Sequence, residues 1–259
     1  MNTILQKYRT IGVVGVLIAL LTTLTSEEAE AQFRNSYFVP YSSVSLGVGT
    51  SSYYGDMAPY GRPFRSTFGL MRWNATANYT RHFTNRLAAR ASFTWARITG
   101  DDYWMNAKKG DTYQFARNLH FRNDLKEFAL TGIYKLIPDS RSYDRRPQIS
   151  PYVFAGIAAV AHNPMARVPD LEGEQWVKLQ PLGTEGQGSP NYAKPYSLVQ
   201  LAIPLGFGVR YKINPRFDVA AEGGFRFTST DYLDDVAGNY PDPNVLNDDL
   251  ARAMSNRTA

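Results

Sequence analysis

The sequence predicts an all-β protein, a transmembrane antiparallel up-and-down β-barrel, on three observations. Segments with an apolar side chain at every second position recur along the chain. The gaps between them alternate strictly between long and short, as the loops and turns of a bacterial barrel do. The row opposite the apolar one carries Gly, Ala, Asn, Thr and scattered charges, with few of the Lys and Glu that cover a water-facing sheet.

Ahead of the strands, Lys7 and Arg9 precede an uncharged stretch from Ile11 to Leu24, and Ala29-Glu30-Ala31 forms a small-x-small site. That pattern is a cleaved signal peptide over residues 1–31. The expected division continues with a periplasmic N-terminal segment at 32–43, the barrel at 44–229 and an extracellular loop segment at 230–259. No apolar run after residue 31 approaches the roughly 18 residues of a spanning helix. Cys is absent, which excludes a disulfide framework, a thiolate metal site and a Cys nucleophile. The net charge of +5 is mild, and no basic arm interleaved with aromatics points to nucleic acid.

The first strand sets Val44, Leu46 and Val48 against Ser45, Gly47 and Gly49. The second, "MRWNATANYT", sets Met71, Trp73, Ala75, Ala77 and Tyr79 against Arg72, Asn74, Thr76 and Asn78. "LAARASFTW" supplies Leu87, Phe93 and Trp95 on one row and Arg90 and Thr94 on the other. The fourth carries Phe128, Leu130, Tyr134 and Leu136 opposite Glu127, Thr131 and Lys135. "PYVFAGIAAVA" is apolar on both rows, so its facing stays open. "VQLAIPLGFGVRY" alternates from Val199 to Tyr211, and "FDVAAEGGFRFTS" sets Phe217, Val219, Phe225 and Phe227 opposite Asp218, Glu222 and Arg226.

The large row is assigned to lipid, with Trp73, Phe93, Leu205 and Phe225 among its members, and the small row to a narrow, filled lumen. Arg72, Arg90, Arg210 and Arg226 fall in that inner row and are expected to pair with Glu127, Asp218 and Glu222, because desolvated charges need partners. Pro204 in mid-strand suggests a bulge or a lumen-lining distortion. Tyr79, Tyr134, Tyr152, Tyr211 and Phe217 fall at one set of strand ends and Trp95, Tyr196 and Phe227 at the other, as two interfacial belts. Seven strands are visible, whereas single-chain barrels close with an even number. Either "NSYFVPY" supplies the eighth or the chain stops inside an outer loop. The expectation is eight strands with the last missing by truncation, since an eighth would return the chain to the periplasmic side.

No catalytic set is expected. Of His82, His120 and His162, only His162 falls near the outer rim, where a lipid-processing barrel would place a base, and it lacks a Ser or acid at identifiable spacing. Asp231, Asp234, Asp235, Asp242, Asp248 and Asp249 are read as a solvated acidic loop, the alternative being a calcium loop. No cofactor motif is present; "LGTEGQG" is not a Walker loop. The turn "IPDSRSYDRRPQI" exceeds what a hairpin needs. Its Arg141, Arg145 and Arg146 are candidates to engage an acidic partner surface, against the alternative of a solvated basic turn.

The stretches "RNLHFRNDLKEF" (117–128), "PYVFAGIAAVAHNP" (151–164), "LQPLGTEGQG" (179–188) and "TSTDYLDDV" (228–236) resemble the PorG-like family of Bacteroidetes outer-membrane barrels. The similarity runs over most of the expected mature chain; "LQPLGTEGQG" and "TDYLDD" carry most of its specificity. The resemblance implies a non-enzymatic subunit of the type IX secretion system, which also serves gliding motility. Its implied partners are a PorK-like lipoprotein, PorN-like ring proteins in the periplasm, the outer-membrane translocon and the bilayer. Two other readings stand beside it: a small outer-membrane binding or adhesion barrel, and a lipid-modifying enzyme. Fold alone does not choose between them.

Overall fold

The computed structural model describes residues 38–58, 63–106, 116–168, 175–246 and 248–257; the expected signal peptide lies outside them. Among the described residues the main strands are β1 (Tyr41–Ser51), β2 (Arg72–His82), β3 (Leu87–Asp101), β4 (His120–Lys135) and β5 (Ile149–Ala161). After the three-residue β6 (Met165–Arg167) and β7 (Trp176–Lys178) come β8 (Val199–Lys212) and β9 (Asp218–Thr228). Three short α-helices, α1 (Pro63–Gly69), α2 (Asp102–Asn106) and α3 (Asp249–Ser255), and 3-10 turns at Tyr143–Arg145, Gln180–Leu182 and Pro243–Val245 accompany them. Among the described residues no helix is long and apolar enough to cross a membrane.

Sequence neighbours pair antiparallel in the order β1-β2-β3-β4-β5-β8-β9. The sheet curls into a half-barrel whose edges are β1 and β9. The expected eighth barrel strand is not among the described residues.

The alternation decides the curl. Every large row points to the convex side: Val48 is 91 % exposed, Leu201 69 % and Phe207 65 %. In β5 the sequence left the facing open, and the structure turns Ile149, Val153 and Ile157 outward and Tyr152, Phe154 and Val160 inward. The convex apolar band has chemical borders. Trp73 and Trp95 meet edge to face at 5.2 Å, Lys126 stands opposite Trp95, and the Arg97–Asp124 pair (2.6 Å) lies just beyond them. Tyr79, Tyr134 and Tyr211 mark the other border and are all exposed. From Leu87 to Trp95 the band runs about 27 Å along β3 at ~3.4 Å per residue, the scale of the ~25 Å apolar belt of membrane barrels before strand tilt.

Two of the expected belt residues stand elsewhere. Tyr152 is buried on the concave face and donates to Glu222. Tyr196 lies in the loops between His162 and Tyr232, with stacked rings at 5.9 and 4.6 Å. Sequence position alone puts both in the belts, and it does not say which way a loop or a doubly apolar strand turns.

Pro204 makes no bulge. The β5–β8 register is the same on both sides of it, from Ala155↔Leu205 to Ala158↔Ala202, and the ladder only skips the positions between. The missing N–H of proline removes pairing without inserting a residue.

Small residues on β8 serve large ones on β5. Tyr152 stands opposite Gly208 and Phe154 opposite Gly206. A Cβ at Gly206 would come within 2.5 Å of both the Phe154 ring and the Gly223 carbonyl. Gly206→Val is therefore expected to cost about 1–3 kcal/mol through overpacking, measured by urea unfolding. An unchanged midpoint would mean that the Phe154 ring can move aside.

The two shortest turns use one device. Thr84 Oγ1 accepts from the Leu87 amide (2.9 Å), and Asn214 Oδ1 accepts from the Arg216 and Phe217 amides (2.8 and 2.9 Å). At the opposite end the long loops form a cap with its own core of Tyr53, Met57, Leu70, Ile98, Met105, Leu119 and Phe121.

Candidate functional site

Two polar assemblies stand out, one on the concave face and one in the cap. On the concave face, charges close across the half-barrel between strands that are not neighbours. Arg90 of β3 pairs with Glu222 of β9 at 2.7 Å, and its guanidinium lies 5.8 Å from the ring centres of Tyr152 and Phe154. Arg226 of β9 donates to Glu127 of β4 at 2.9 Å. Such contacts need a tightly curled sheet with its walls facing.

At the short-turn end the hub is Asp139, whose side chain is fully buried. It accepts from Arg210 (2.6 Å), Lys135 (2.5 Å) and the Tyr41 hydroxyl (3.0 Å), while its amide donates to the Asn85 carbonyl. Arg146 pairs with Asp218 at 2.8 Å, and Arg210 lies 3.8 Å from the same carboxylate. Burial acts to raise Asp139, but Arg210 and Lys135 outweigh it and hold the carboxyl below its usual range. The turn 136–148 is long because it folds back over the end of the half-barrel.

The sequence-assigned residues thus separate. Arg90, Glu127, Arg210, Asp218, Glu222 and Arg226 lie on the concave face in ion pairs. Arg72 stands exposed at the end of β2, its Nη1 on the Met71 carbonyl. Of the turn arginines, Arg141 and Arg145 are exposed, whereas Arg146 is buried against Asp218. That corrects the reading of Arg146 as an outward contact, since its side chain closes the end of the sheet. Sequence reasoning missed Asp139; its only signal was an acid in an oversized turn.

In the cap, the loop motifs at 179–188 and 228–236 meet. Asp234 accepts from the Tyr53 hydroxyl (2.6 Å) and the Val236 amide (3.2 Å). Asp235, in the left-handed region at φ 68°, accepts from Thr184 and Tyr196. Glu185 Oε1 accepts from the Ala237 and Gly238 amides, both at 2.9 Å. Gly183 and Gly186 supply the positive φ that the first motif's turn requires. Both aspartates are buried, which corrects the solvated-loop reading for this pair. The other acids act locally: Asp242 and Asp248 cap short helices, and Asp249 pairs with Arg252. No group of three His, Asp or Glu suited to a metal occurs among the described residues.

Burial raises Asp234 to about 7 and Asp235 to about 6, against the pull of their hydroxyl donors. A carboxyl whose folded pKa stands above its unfolded value stabilises most below the unfolded value and loses that contribution as pH rises through the folded one. The cap is therefore expected to be tighter near pH ~5 than near pH ~8. Hydrogen-exchange protection of the Val236 amide, corrected for intrinsic rates, is the measure. Equal protection at both would show that the pair titrates normally.

His162 is buried and stacks on Tyr196, its Nε2 3.1 Å from the Ser197 carbonyl. Burial lowers its pKa, and among the described residues neither a Ser hydroxyl nor a carboxylate stands within hydrogen-bonding distance of it. His82 meets Ser43 at 3.1 Å, and the His120 Nε2 accepts from the Arg167 amide at 3.1 Å.

A family model described as a domain of unknown function, DUF6089, matches residues 15–171. No curated protein and no solved structure matches the chain.

Proposed function

The chain belongs to the DUF6089 family of domains of unknown function, and from its geometry we propose that it is a non-enzymatic bacterial outer-membrane barrel. One observation carries this reading: the apolar convex band shared by all seven main strands. Left in water, each large side chain of that band would forgo roughly 1.5–3 kcal/mol. Lipid relieves that cost, while the concave charges are already paired.

The finer reading is a subunit of the type IX secretion system that links a PorK-like lipoprotein and PorN-like ring to the outer membrane. It rests on the resemblance of the four quoted stretches to PorG-like barrels. On this reading the short-turn end faces the periplasm and presents Arg141 and Arg145 to the ring. Rim charges mainly govern association rate and salt dependence. Reversing both to Glu should lower recovery of the ring proteins on co-purification, most at low salt where the charges are least screened, while the barrel still inserts. Recovery equal to wild type at every salt concentration would remove the contact from this turn. A second reading, a binding barrel without a ring, draws on the cap having its own core.

A further inference from the structure

Among the cap loops lies a cavity of about 100 Å³ whose wall includes Arg117, Glu185, Asp234, Asp235, Tyr240 and Arg257. Its volume equals about three waters. Arg257 is only 8 % exposed, and its Nε has no hydrogen-bond partner among the described residues. Its Nη1 donates to a neutral group, the His120 carbonyl, at 2.8 Å. A buried guanidinium without a carboxylate partner is costly.

Asp235 lies in the same wall, held by the neutral hydroxyls of Thr184 and Tyr196. Asp235 and Arg257 attract each other electrostatically, yet no ion pair within 4 Å joins them. Each is tethered by its own partners, so the two opposite charges share one cavity wall without collapsing together. A lone anion would meet Asp234, Asp235 and Glu185. A lone cation would meet Arg257 and Arg117, the latter already bound to Asp102 at 2.7 Å. Only a ligand bearing both charges suits both.

We propose that this cavity binds a small zwitterion of the α-amino-acid class, with its carboxylate on Arg257 and its ammonium on Asp235. The site lies in the cap and is independent of any secretion role. The full chain in detergent micelles is titrated calorimetrically with glycine, alanine, acetate and methylamine. The two amino acids should bind, and acetate and methylamine should each bind about tenfold or more weakly, the scale of one charge-assisted hydrogen bond. Arg257→Gln should no longer prefer glycine over methylamine, and Asp235→Asn should no longer prefer glycine over acetate. Near-UV circular dichroism checks that each variant keeps its cap, and the four-probe comparison on wild type needs no variant. Acetate or methylamine binding wild type as tightly as glycine would overturn the proposal. So would the absence of binding by any probe, which would leave the cavity a water-filled joint.

Discussion

Replacing Asp139 by alanine is expected to destabilise the protein by about 3–5 kcal/mol, the cost of removing one partner from a buried charge network. Arg210, Lys135 and Tyr41 all converge on this carboxylate. Its loss leaves two buried cations without their main acceptor. Urea unfolding in detergent, followed by tryptophan fluorescence, is the measurement. Pairing the change with Arg210→Met should recover part of the loss, because removing both charges costs less than stranding one. A loss below about 1 kcal/mol, the range of exposed pairs, would show that water reaches the hub. The pH signs at the two ends oppose each other. Asp139 is held low, so its contribution is present above the unfolded carboxyl value and is lost as pH falls through the folded one. The cap aspartates act the other way.

Leu205→Arg should disrupt membrane insertion by roughly 2–4 kcal/mol, the cost of a charge on the lipid face near the midplane. Leu205 points outward from the middle of β8, between the convex neighbours Ile203 and Phe207. Partition into liposomes of a refolded chain, scored by protease protection, gives the comparison. Insertion equal to wild type would place the convex face outside lipid and remove the observation on which the membrane reading stands. Thr94→Leu on β3 is the control, since it alters a buried concave position and leaves the outer band as it was.

Period-two alternation made β1 to β4, β8 and β9 readable, because one row is large and the other small or charged. β5 was not readable for a specific reason: its inward row carries Tyr152 and Phe154, whose room is made by Gly208 and Gly206 on a different strand. β6 and β7 are three residues each, too short to show any period. Charges on strands could be placed by parity, and Arg90, Arg210 and Arg226 stand where parity puts them. Arg72 shares that parity yet is exposed, since the strand end lacks a facing wall. Charges in loops could not be placed at all. Arg145 and Arg146 are adjacent, and only the inward fold of their turn separates an exposed guanidinium from one paired with Asp218. Likewise, Asp234 and Asp235 read as solvent-facing until Tyr53 and Tyr196, 181 and 39 residues away, are seen to bind them.

The concave ion pairs have a consequence for the order of assembly. The main-strand ladders join strands in chain order, and β2–β3 and β8–β9 do so through turns of a few residues, so these two hairpins can form locally. Arg226–Glu127, by contrast, closes a span of 99 residues, and Arg146–Asp218 one of 72. These contacts require the sheet already curled, so they are expected to form late in folding. Interactions absent from the transition state act on the rate of unfolding and leave the rate of folding nearly unchanged. The ionic links across the trough are therefore expected to act as a latch on the finished molecule: weakening them should shorten its lifetime in the folded state without slowing its arrival there.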